Sequence, residues 1–267
     1  MSAALAVEGL CHAYDGVPVL RDVSFTVAPG EVVAVVGPSG AGKTTLFRCL
    51  TRLTRADAGA VRLFDVDLQH VEGTALRQAR RDLGLVFQGF NLVRRLTATQ
   101  NVLVGRLAET PAWRVLLRRP SAADDALAAA CLQRVGLLPF AHTRADRLSG
   151  GQQQRVAIAR ALASRARVVI ADEPVASLDP SSAADVLTAL RSLATDDGRA
   201  VVCSLHQVDL VAGFADRVVG LREGRVVLDV PVERFDPARA RALYARSLDE
   251  LDHHPEPLAP ERTPGRP

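Results

Sequence analysis

The stretch from Val32 to Thr45 reads VVAVVGPSGAGKTT, a short apolar run followed by a glycine-rich segment with one lysine. The apolar run is β-branched and does not alternate with polar residues, which is typical of a strand buried on both faces of a parallel sheet. Apolar residues recur at helical spacing after the lysine, at Leu46, Phe47, Leu50 and Leu53. Strand, glycine loop and helix, in this order, form the context of a phosphate-binding loop.

Lys43 is the single lysine among the 33 lysines and arginines of the chain. Lysine is a compact point charge on a thin stem, so it can pass beneath a tight glycine loop where the planar fork of arginine cannot. The residues predicted to surround the phosphates are Gly37, Pro38, Ser39, Gly40, Ala41, Gly42, Lys43, Thr44 and Thr45. The sequence therefore predicts binding of a nucleoside triphosphate, and the alternative is a chance match to the loop pattern.

A second apolar run, residues 168–171, ends in two carboxylates, Asp172 and Glu173. Both are expected at the carboxyl edge of a parallel sheet, where such folds bind ligands. There Asp172 and the hydroxyl of Thr44 can hold Mg²⁺, while Glu173 can orient and polarise an attacking water. The alternative is a solvated turn, which is common where an Asp-Glu pair ends a strand.

A second glycine-containing segment, Leu148-Ser149-Gly150-Gly151-Gln152, precedes a predicted helix through Val156, Ile158 and Leu162. Its two glycines let a backbone approach a phosphate closely, and Ser149 can cap both a helix and an anion. Taken alone, Ser-Gly-Gly is also an ordinary loop.

Strand and helix patterns alternate along the chain, which predicts a parallel α/β core. The remaining predicted strands are Leu5–Leu10, Val19–Val27, Val61–Phe64 and Ala200–Ser204. A helix is predicted after Pro180, with Asp179 as its N-cap. From residue 91 to residue 163 the pattern is helical, which predicts a helical subdomain inserted in the core.

Composition limits the classes of function. The chain has 267 residues, of which 48% are hydrophobic, and a net charge of +3, which gives no strong argument for nucleic acid. The four scattered cysteines favour buried thiols in a reducing compartment over a zinc site or disulfides. Neither a signal peptide nor an apolar run near the ~20 residues of a membrane span is predicted, so a membrane role requires a partner.

Together, residues 37–44, 148–152 and 168–173 resemble the three defining motifs of ATP-binding cassette (ABC) ATPases, and the resemblance extends to about Val230. It implies a P-loop NTPase (RecA-like) α/β core with an N-terminal antiparallel β subdomain and an inserted α-helical subdomain. The implied organisation is one ABC ATPase domain over residues 1–235, with the helical subdomain at about 89–163. A C-terminal helix is predicted at 236–251, and the proline-rich, charged composition of residues 252–267 predicts a disordered tail.

The resemblance also implies roles for single residues. Tyr14 resembles the aromatic residue that stacks on adenine, and Gln88 the glutamine that touches the Mg²⁺ site and reports to a transport partner. Asp179, in Ser177-Leu178-Asp179, resembles the loop that crosses a dimer interface. His206 resembles the switch histidine that contacts the γ-phosphate, and its alternative is a structural histidine. The implied catalytic residues are Lys43, Gln88, Glu173 and His206.

The implied assembly is a head-to-tail homodimer that binds ATP and Mg²⁺. In it, Lys43 of one copy and Ser149, Gly150, Gly151 and Gln152 of the other enclose the nucleotide. The resemblance further implies permease subunits as partners, indirect contact with a substrate-binding protein, no nucleic acid, and a place at the cytoplasmic face of the inner membrane. Hydrolysis would then open the dimer and drive transport.

Four segments narrow the resemblance to the phosphonate importer ATPases: Asn91–Thr97, Pro111–Leu117, Leu205–Leu210 and Ala215–Leu221. Within the second, Trp113 is the most specific feature, and its alternative role is packing within the helical subdomain. The predicted function is ATP-driven uptake of phosphonates or related phosphorus oxyanions. The alternatives are an importer of amino acids or other small anions, a DNA-associated ATPase of the same superfamily, and a P-loop kinase or GTPase.

Overall fold

The computed structural model describes residues 3–87, 89–111, 113–114, 120–176 and 178–238. Its strands are β1 (Leu5–Tyr14), β2 (Val17–Val27), β3 (Val32–Val36), β4 (Ala58–Leu63), β5 (Val66–Asp67), β6 (Leu83–Phe87), β7 (Val168–Asp172), β8 (Ala200–Leu205), β9 (Arg217–Arg222) and β10 (Arg225–Pro231). Its helices are α1 (Lys43–Leu50), α2 (Gly73–Ala79), α3 (Ala98–Val104), α4 (Ala122–Arg134), α5 (Gly150–Ala163) and α6 (Pro180–Thr195). Short 3₁₀ turns connect several of them.

The main sheet is largely parallel and has the strand order β10-β9-β3-β8-β7-β6. Strand β3 pairs in parallel with both β8 and β9, and all five of its residues are buried. Strand β8 pairs in parallel with β7, and only the edge pairing of β9 with β10 is antiparallel within the described sheet. This confirms the parallel α/β core that the unalternating apolar runs predict.

A second, antiparallel sheet has the order β2-β1-β4-β5. Strands β1 and β2 form a hairpin whose turn residues, Asp15 and Gly16, both have positive φ. Strand β1 continues to Tyr14, four residues beyond the predicted end at Leu10. The extension follows from pairing with β2, since cross-strand contacts stabilise residues whose own alternation pattern is weak.

The core divides at the main sheet into two apolar clusters. Along β3, Val32, Ala34 and Val36 face the cluster that includes helices α3 to α6, whereas Val33 and Val35 face α1 and the antiparallel sheet. A strand with both faces covered cannot alternate polar and apolar residues, which explains the sequence of β3.

Several sequence predictions need correction. Leu53 does not extend the apolar face of α1, because the helix ends at Leu50 and Leu53 is 56% exposed. Strands β6, β9 and β10 were not predicted. Trp113 is 57% exposed and Arg114 stacks on its ring, which disfavours packing within the helical subdomain as its role.

Some predictions fall outside the described residues: Gln88, Ser177 and, beyond Ala238, nearly all of the C-terminal helix together with the proline-rich tail. The subdomain boundaries at 89 and 163 stay predictions. Among the helices that the structure describes, none combines the length and apolar character needed to cross a membrane.

Candidate nucleotide-binding and hydrolysis site

The predicted phosphate-binding loop joins the carboxyl end of β3 to α1. A Cβ on Gly37 would lie 2.1 Å from the carbonyl oxygen of Leu221, so only glycine fits there. Gly42 caps α1 with φ 99°, and a Cβ on it would lie 2.9 Å from the carbonyl oxygen of Val19. Gly37 therefore lets the loop approach strand β9 closely, and Gly42 lets it approach β2. Helix α1 begins directly after the loop, so its first backbone N–H groups are directed at the loop.

Lys43 lies inside this loop. Its side chain is 4% exposed, and Nζ donates hydrogen bonds to the carbonyl oxygens of Gly37 at 2.8 Å and Pro38 at 3.0 Å. Burial lowers the pKa of the Lys43 ammonium, while the charges of Glu173 and Asp172 oppose that shift. The lysine is thus within electrostatic reach of both predicted carboxylates.

The neighbouring threonines differ in environment. Thr44 is exposed at the first turn of α1, whereas Thr45 is buried, 9% exposed, against the core. The Thr44 hydroxyl is therefore available to a ligand over the loop. The contact of Thr45 with the phosphates stays a prediction.

Asp172 and Glu173 lie where the sequence predicts, at the carboxyl end of β7. Burial raises the pKa of the Asp172 carboxyl, and a hydrogen bond from Ser204 and the charges of Lys43 and His206 act in the opposite direction. Glu173 has φ 48°, a left-handed conformation that costs a non-glycine residue roughly 1–2 kcal/mol. Such a residue persists only where its surroundings hold it, as at functional sites.

His206 follows β8 and contacts Glu173. Its Nε2 is within hydrogen-bond distance of Glu173 Oε1, with 15% of the Glu173 side chain and 37% of the His206 side chain exposed. A carboxylate paired with an imidazole at the mouth of a site can hold or pass a proton, and it can orient a water. The ring of His206 thus faces the predicted catalytic carboxylate, and its contact with the γ-phosphate stays a prediction.

Ser204 is part of this cluster and was missed by the sequence analysis. It is fully buried in β8, where its Oγ donates to Asp172 Oδ1 at 2.8 Å and accepts the Glu173 backbone N–H at 2.7 Å. The available signal was a hydroxyl near the end of an otherwise apolar strand, two residues before His206. That signal is weak, because only the register of the sheet brings β8 beside the end of β7.

The segment Leu148–Gln152 begins helix α5. Ser149 and Gln152 form a reciprocal cap: the Gln152 N–H donates to Ser149 Oγ at 3.3 Å, and the Ser149 N–H donates to Gln152 Oε1 at 2.9 Å. A Cβ on Gly151 would lie 2.7 Å from Ser182 Oγ in α6. Within the described residues this segment makes no hydrogen bond or ion pair with the cluster of Lys43, Asp172, Glu173 and His206.

Two further predicted residues, Tyr14 and Asp179, make no hydrogen bond or ion pair with the cluster within the described part of the chain. Tyr14 ends β1 with 41% of its surface exposed, and its ring packs edge-on against His12 at 4.7 Å between centroids. Asp179 caps α6, since its Oδ1 accepts the N–H groups of Ser181 at 3.1 Å and Ser182 at 3.0 Å. These hydrogen bonds lower the pKa of the Asp179 carboxyl. The predicted N-cap is confirmed.

The donor set near the loop suits Mg²⁺. Thr44 and Asp172 offer a hydroxyl and a carboxylate, the oxygen ligands that this ion prefers. Among the described residues, no group of three or more His, Cys, Asp and Glu side chains could hold a metal by itself. That is compatible with Mg²⁺, which is usually held by one or two carboxylates together with substrate phosphates and water.

Comparison with known proteins agrees with this geometry. Residues 20–176, which contain the Lys43 loop, the Ser149 segment and both carboxylates, match the ABC transporter family. The chain is 47% identical over 261 residues to the hypophosphite import ATP-binding protein of Stutzerimonas stutzeri, covering 98% of this chain and 76% of that protein. It is 44% identical over 253 residues to a phosphonates import ATP-binding protein of Rhodopseudomonas palustris (strain BisA53), covering 94% of each.

A solved structure of an ATP-binding cassette, a dimer in a post-hydrolysis state bound to ADP and phosphate, superposes with a TM-score of 0.74 at 31% identity. The match covers 86% of this chain and all of that one. Sequence, fold and the grouping of Lys43 with the two carboxylates thus lead to one assignment: this chain belongs to the ABC transporter family, as an ATP-hydrolysing ATP-binding subunit of the kind found in importers.

Proposed function

We propose that this chain is the ATP-hydrolysing subunit of an importer for phosphonates or related phosphorus oxyanions such as hypophosphite. The observation that carries hydrolysis is the contact of Glu173 with His206 beside Asp172, within electrostatic reach of Lys43. The cargo follows from relatives at 47% and 44% identity that are named for hypophosphite and phosphonate import.

Each group in the cluster has a chemical role in this proposal. Lys43 compensates the charge of the outer phosphates from inside the loop, where burial strengthens the interaction. Glu173 orients and polarises the attacking water, and His206 holds Glu173 in place and contacts the γ-phosphate. The first turn of α1 adds backbone N–H donors to the phosphates.

Thr44 and Asp172 are the described residues that would hold Mg²⁺, together with Gln88 from outside the described ranges. When bound, the ion would neutralise negative charge that develops on the phosphates during hydrolysis. The desolvated carboxyl of Asp172 suits this role, because a cation stabilises its charged form where burial does not.

The proposed working unit is a head-to-tail homodimer at the cytoplasmic face of the inner membrane. Tyr14 stacks on adenine, and Ser149, Gly150, Gly151 and Gln152 of the second copy close the site over the phosphates. The exposed helix start at Ser149 and the exposed Tyr14 ring support this assembly, since both are accessible to a second chain or a ligand. Permease subunits carry the cargo and a substrate-binding protein selects it.

The test is transport by the reconstituted complex. The chain, its permease and its binding protein are placed in vesicles, and uptake of radiolabelled methylphosphonate, hypophosphite and an amino acid is compared. Uptake of a phosphorus oxyanion that requires ATP and falls to background in Glu173→Gln is expected. Uptake unaffected by that substitution would refute the proposal, and uptake of the amino acid alone would transfer the chain to the other importer class.

The binding protein supplies an independent measurement of cargo, because the ATPase does not meet the transported ligand. Calorimetry of the purified binding protein with the same three compounds is expected to show binding of a phosphorus oxyanion.

The matched control for Glu173→Gln in the transport assay is Glu223→Gln. Glu223 is an exposed carboxylate in the turn between β9 and β10, so this variant should leave uptake unchanged.

A further inference from the structure

Ser204 is the one fully buried hydroxyl in the described part of strand β8, whose other residues are alanine, valine, cysteine and leucine. A valine would suit a strand buried on both faces better, and a hydroxyl buried without partners would destabilise the fold. Here both hydrogen-bonding capacities of the hydroxyl are used at the end of β7. The hydrogen bonds of Ser204 therefore indicate a specific structural role at the carboxyl end of β7.

The two hydrogen bonds fix the orientation of the hydroxyl. The hydroxyl donates its single hydrogen bond to Asp172 Oδ1 at 2.8 Å, and one of its lone pairs accepts the Glu173 N–H at 2.7 Å. One oxygen atom thus sets the rotamer of Asp172 and holds the backbone of Glu173. Because Ser204 donates this hydrogen bond, Asp172 Oδ1 must accept it through a lone pair. A carboxylate oxygen that holds a cation also uses a lone pair.

The Glu173 backbone needs such support. Its φ of 48° is a left-handed conformation, which a glutamate adopts only when neighbouring groups hold it. The Ser204 hydroxyl holds the N–H of Glu173 and His206 contacts its carboxylate, so the residue is restrained at both ends. Without the hydroxyl, the backbone could relax and the carboxylate would point in another direction.

We propose that Ser204 is a positioning residue. Its one hydroxyl fixes the rotamer of Asp172, the metal-binding carboxylate, and the backbone of Glu173, the water-activating carboxylate. This inference rests on the proposed function, since it concerns how ATP is hydrolysed. Ser204 itself is fully buried in the sheet, so we infer that it acts through Asp172 and Glu173 and not by contact with the nucleotide. Groups that orient a metal ligand typically change metal affinity or activity by about 10–100-fold when they are removed.

The test compares Ser204→Ala and Ser204→Cys, which lack a strong hydrogen-bonding hydroxyl, with Ser204→Thr, which keeps one. In the first two, kcat for ATP is expected to fall about 10–100-fold while KM changes less than about threefold. Ser204→Thr is expected to recover most of the lost turnover. Ser192→Ala is the matched control. It removes a hydroxyl that donates a hydrogen bond to the carbonyl of Ala189 in α6 and accepts one from Arg134 of α4, and it is expected to keep wild-type turnover.

A measurement apart from turnover separates positioning from folding. ADP binding is measured by calorimetry with Mg²⁺ and with EDTA, together with the melting temperature. For Ser204→Ala, affinity in EDTA is expected to stay within about twofold of wild type, while most of the gain given by Mg²⁺ is lost. A simple packing role would instead lower the melting temperature and both affinities together, or leave all of them unchanged.

The outcomes are distinct. Wild-type kcat and Mg²⁺ dependence in Ser204→Ala would overturn the role of Ser204 and leave the proposed function standing. Absence of ATP hydrolysis by the wild-type chain and its complex would instead overturn the proposed function. If Ser204→Ala does not fold, the contrast between Ser204→Cys and Ser204→Thr decides, and equal turnover in those two variants would refute the role of the hydroxyl.

Discussion

At the scale of single residues, the position of Lys43 depends on the shape of its side chain as well as its charge. The ammonium is held between two loop carbonyls at 2.8 and 3.0 Å and is almost fully buried. A guanidinium is wider and planar, so it should not fit the same space. We predict that Lys43→Arg lowers kcat by about 100-fold or more while the fold is retained, a loss comparable to that of a pre-organised donor at a reacting group.

Steady-state ATP hydrolysis and the melting temperature check this prediction. Arg48→Lys, the reverse exchange on the exposed side of α1, is the control and should keep wild-type turnover. Turnover near wild type in Lys43→Arg would show that charge alone is sufficient in the loop.

Cys49 gives a residue-scale prediction about pH. Burial in α1, with a smaller contribution from Asp57, raises the pKa of its thiol to about 11. In the unfolded chain the thiol ionises near its ordinary pKa of 9.0, so between the two values unfolding releases a proton. The stability that the neutral thiol provides is therefore present below the unfolded pKa and is lost as the pH rises towards 11.

We predict that the free energy of unfolding of the wild-type chain falls by about 1–2 kcal/mol more than that of Cys49→Ala between pH 8 and pH 10. Urea denaturation of both proteins at matched pH values measures the difference, and groups other than Cys49 cancel in the comparison. Parallel pH curves would show that this thiol does not titrate on unfolding in that range.

At the scale of elements, the contact between α5 and α6 depends on Gly151. A Cβ there would lie 2.7 Å from Ser182 Oγ and 2.8 Å from Ser182 Cβ, so the two helices can approach only if Gly151 has no side chain. We predict that Gly151→Ala destabilises the chain by about 1–3 kcal/mol through overpacking, despite the higher helix propensity of alanine.

The neighbouring glycine is the control for this prediction. A Cβ on Gly150 would meet Leu178 and Phe90 at ordinary contact distances, 3.5 and 3.7 Å, so Gly150→Ala should be neutral or slightly stabilising. Ser182→Gly combined with Gly151→Ala should recover part of the loss, as measured in a double-mutant cycle by urea denaturation. A gain of stability in Gly151→Ala alone would contradict the crowded contact.

Elements with a strong local signal were predictable from sequence. Strand β3 is apolar on both faces, and Asp179-Pro180 marks the start of α6, so both are found as predicted. Strand β9 begins and ends with arginine, and the β-sheet position of β6 depends on its pairing with β7, so neither has a clear pattern of its own. Tertiary pairing decides such segments, and sequence periodicity does not report it.

The same distinction applies to the candidate site. The loop around Lys43 and the pair Asp172-Glu173 carry their chemistry in contiguous residues, and the structure brings them within electrostatic reach of one another. Ser204 could not be found in this way, because its partners lie 32 and 31 residues away and meet it only across neighbouring strands. The contact of His206 with Glu173 also depends on sheet order.

At the scale of the whole molecule, the two halves of the predicted nucleotide site make no hydrogen bond or ion pair with each other among the described residues of one chain. Lys43 and the carboxylates form one cluster, whereas Ser149 is exposed and makes its described side-chain hydrogen bonds with Gln152. In the head-to-tail homodimer that we propose, each site would take Lys43 from one copy and Ser149 from the other. Two defective variants should therefore complement each other when they are mixed.

We predict that Lys43→Ala and Ser149→Arg are each nearly inactive as ATPases and that an equimolar mixture regains activity. In a mixed dimer, one site combines the intact Lys43 of the second variant with the intact Ser149 of the first, and the other site carries both defects. With random pairing, half of the dimers are mixed, so about a quarter of the sites are intact. The variants are combined without nucleotide, Mg²⁺ and ATP are then added, and initial rates are compared with those of each variant alone.

A rise of the ATPase rate towards a quarter of the wild-type rate supports the shared site. A smaller rise is expected if hydrolysis in one site of the dimer depends on the other site. Size-exclusion chromatography with ATP should show dimers in the mixture, and melting temperatures should confirm that both variants are folded. A mixture no more active than its components, although it forms dimers, would show that Lys43 and Ser149 do not act in one site across the interface. Full activity of Ser149→Arg alone would show that the Lys43 cluster hydrolyses ATP without this segment.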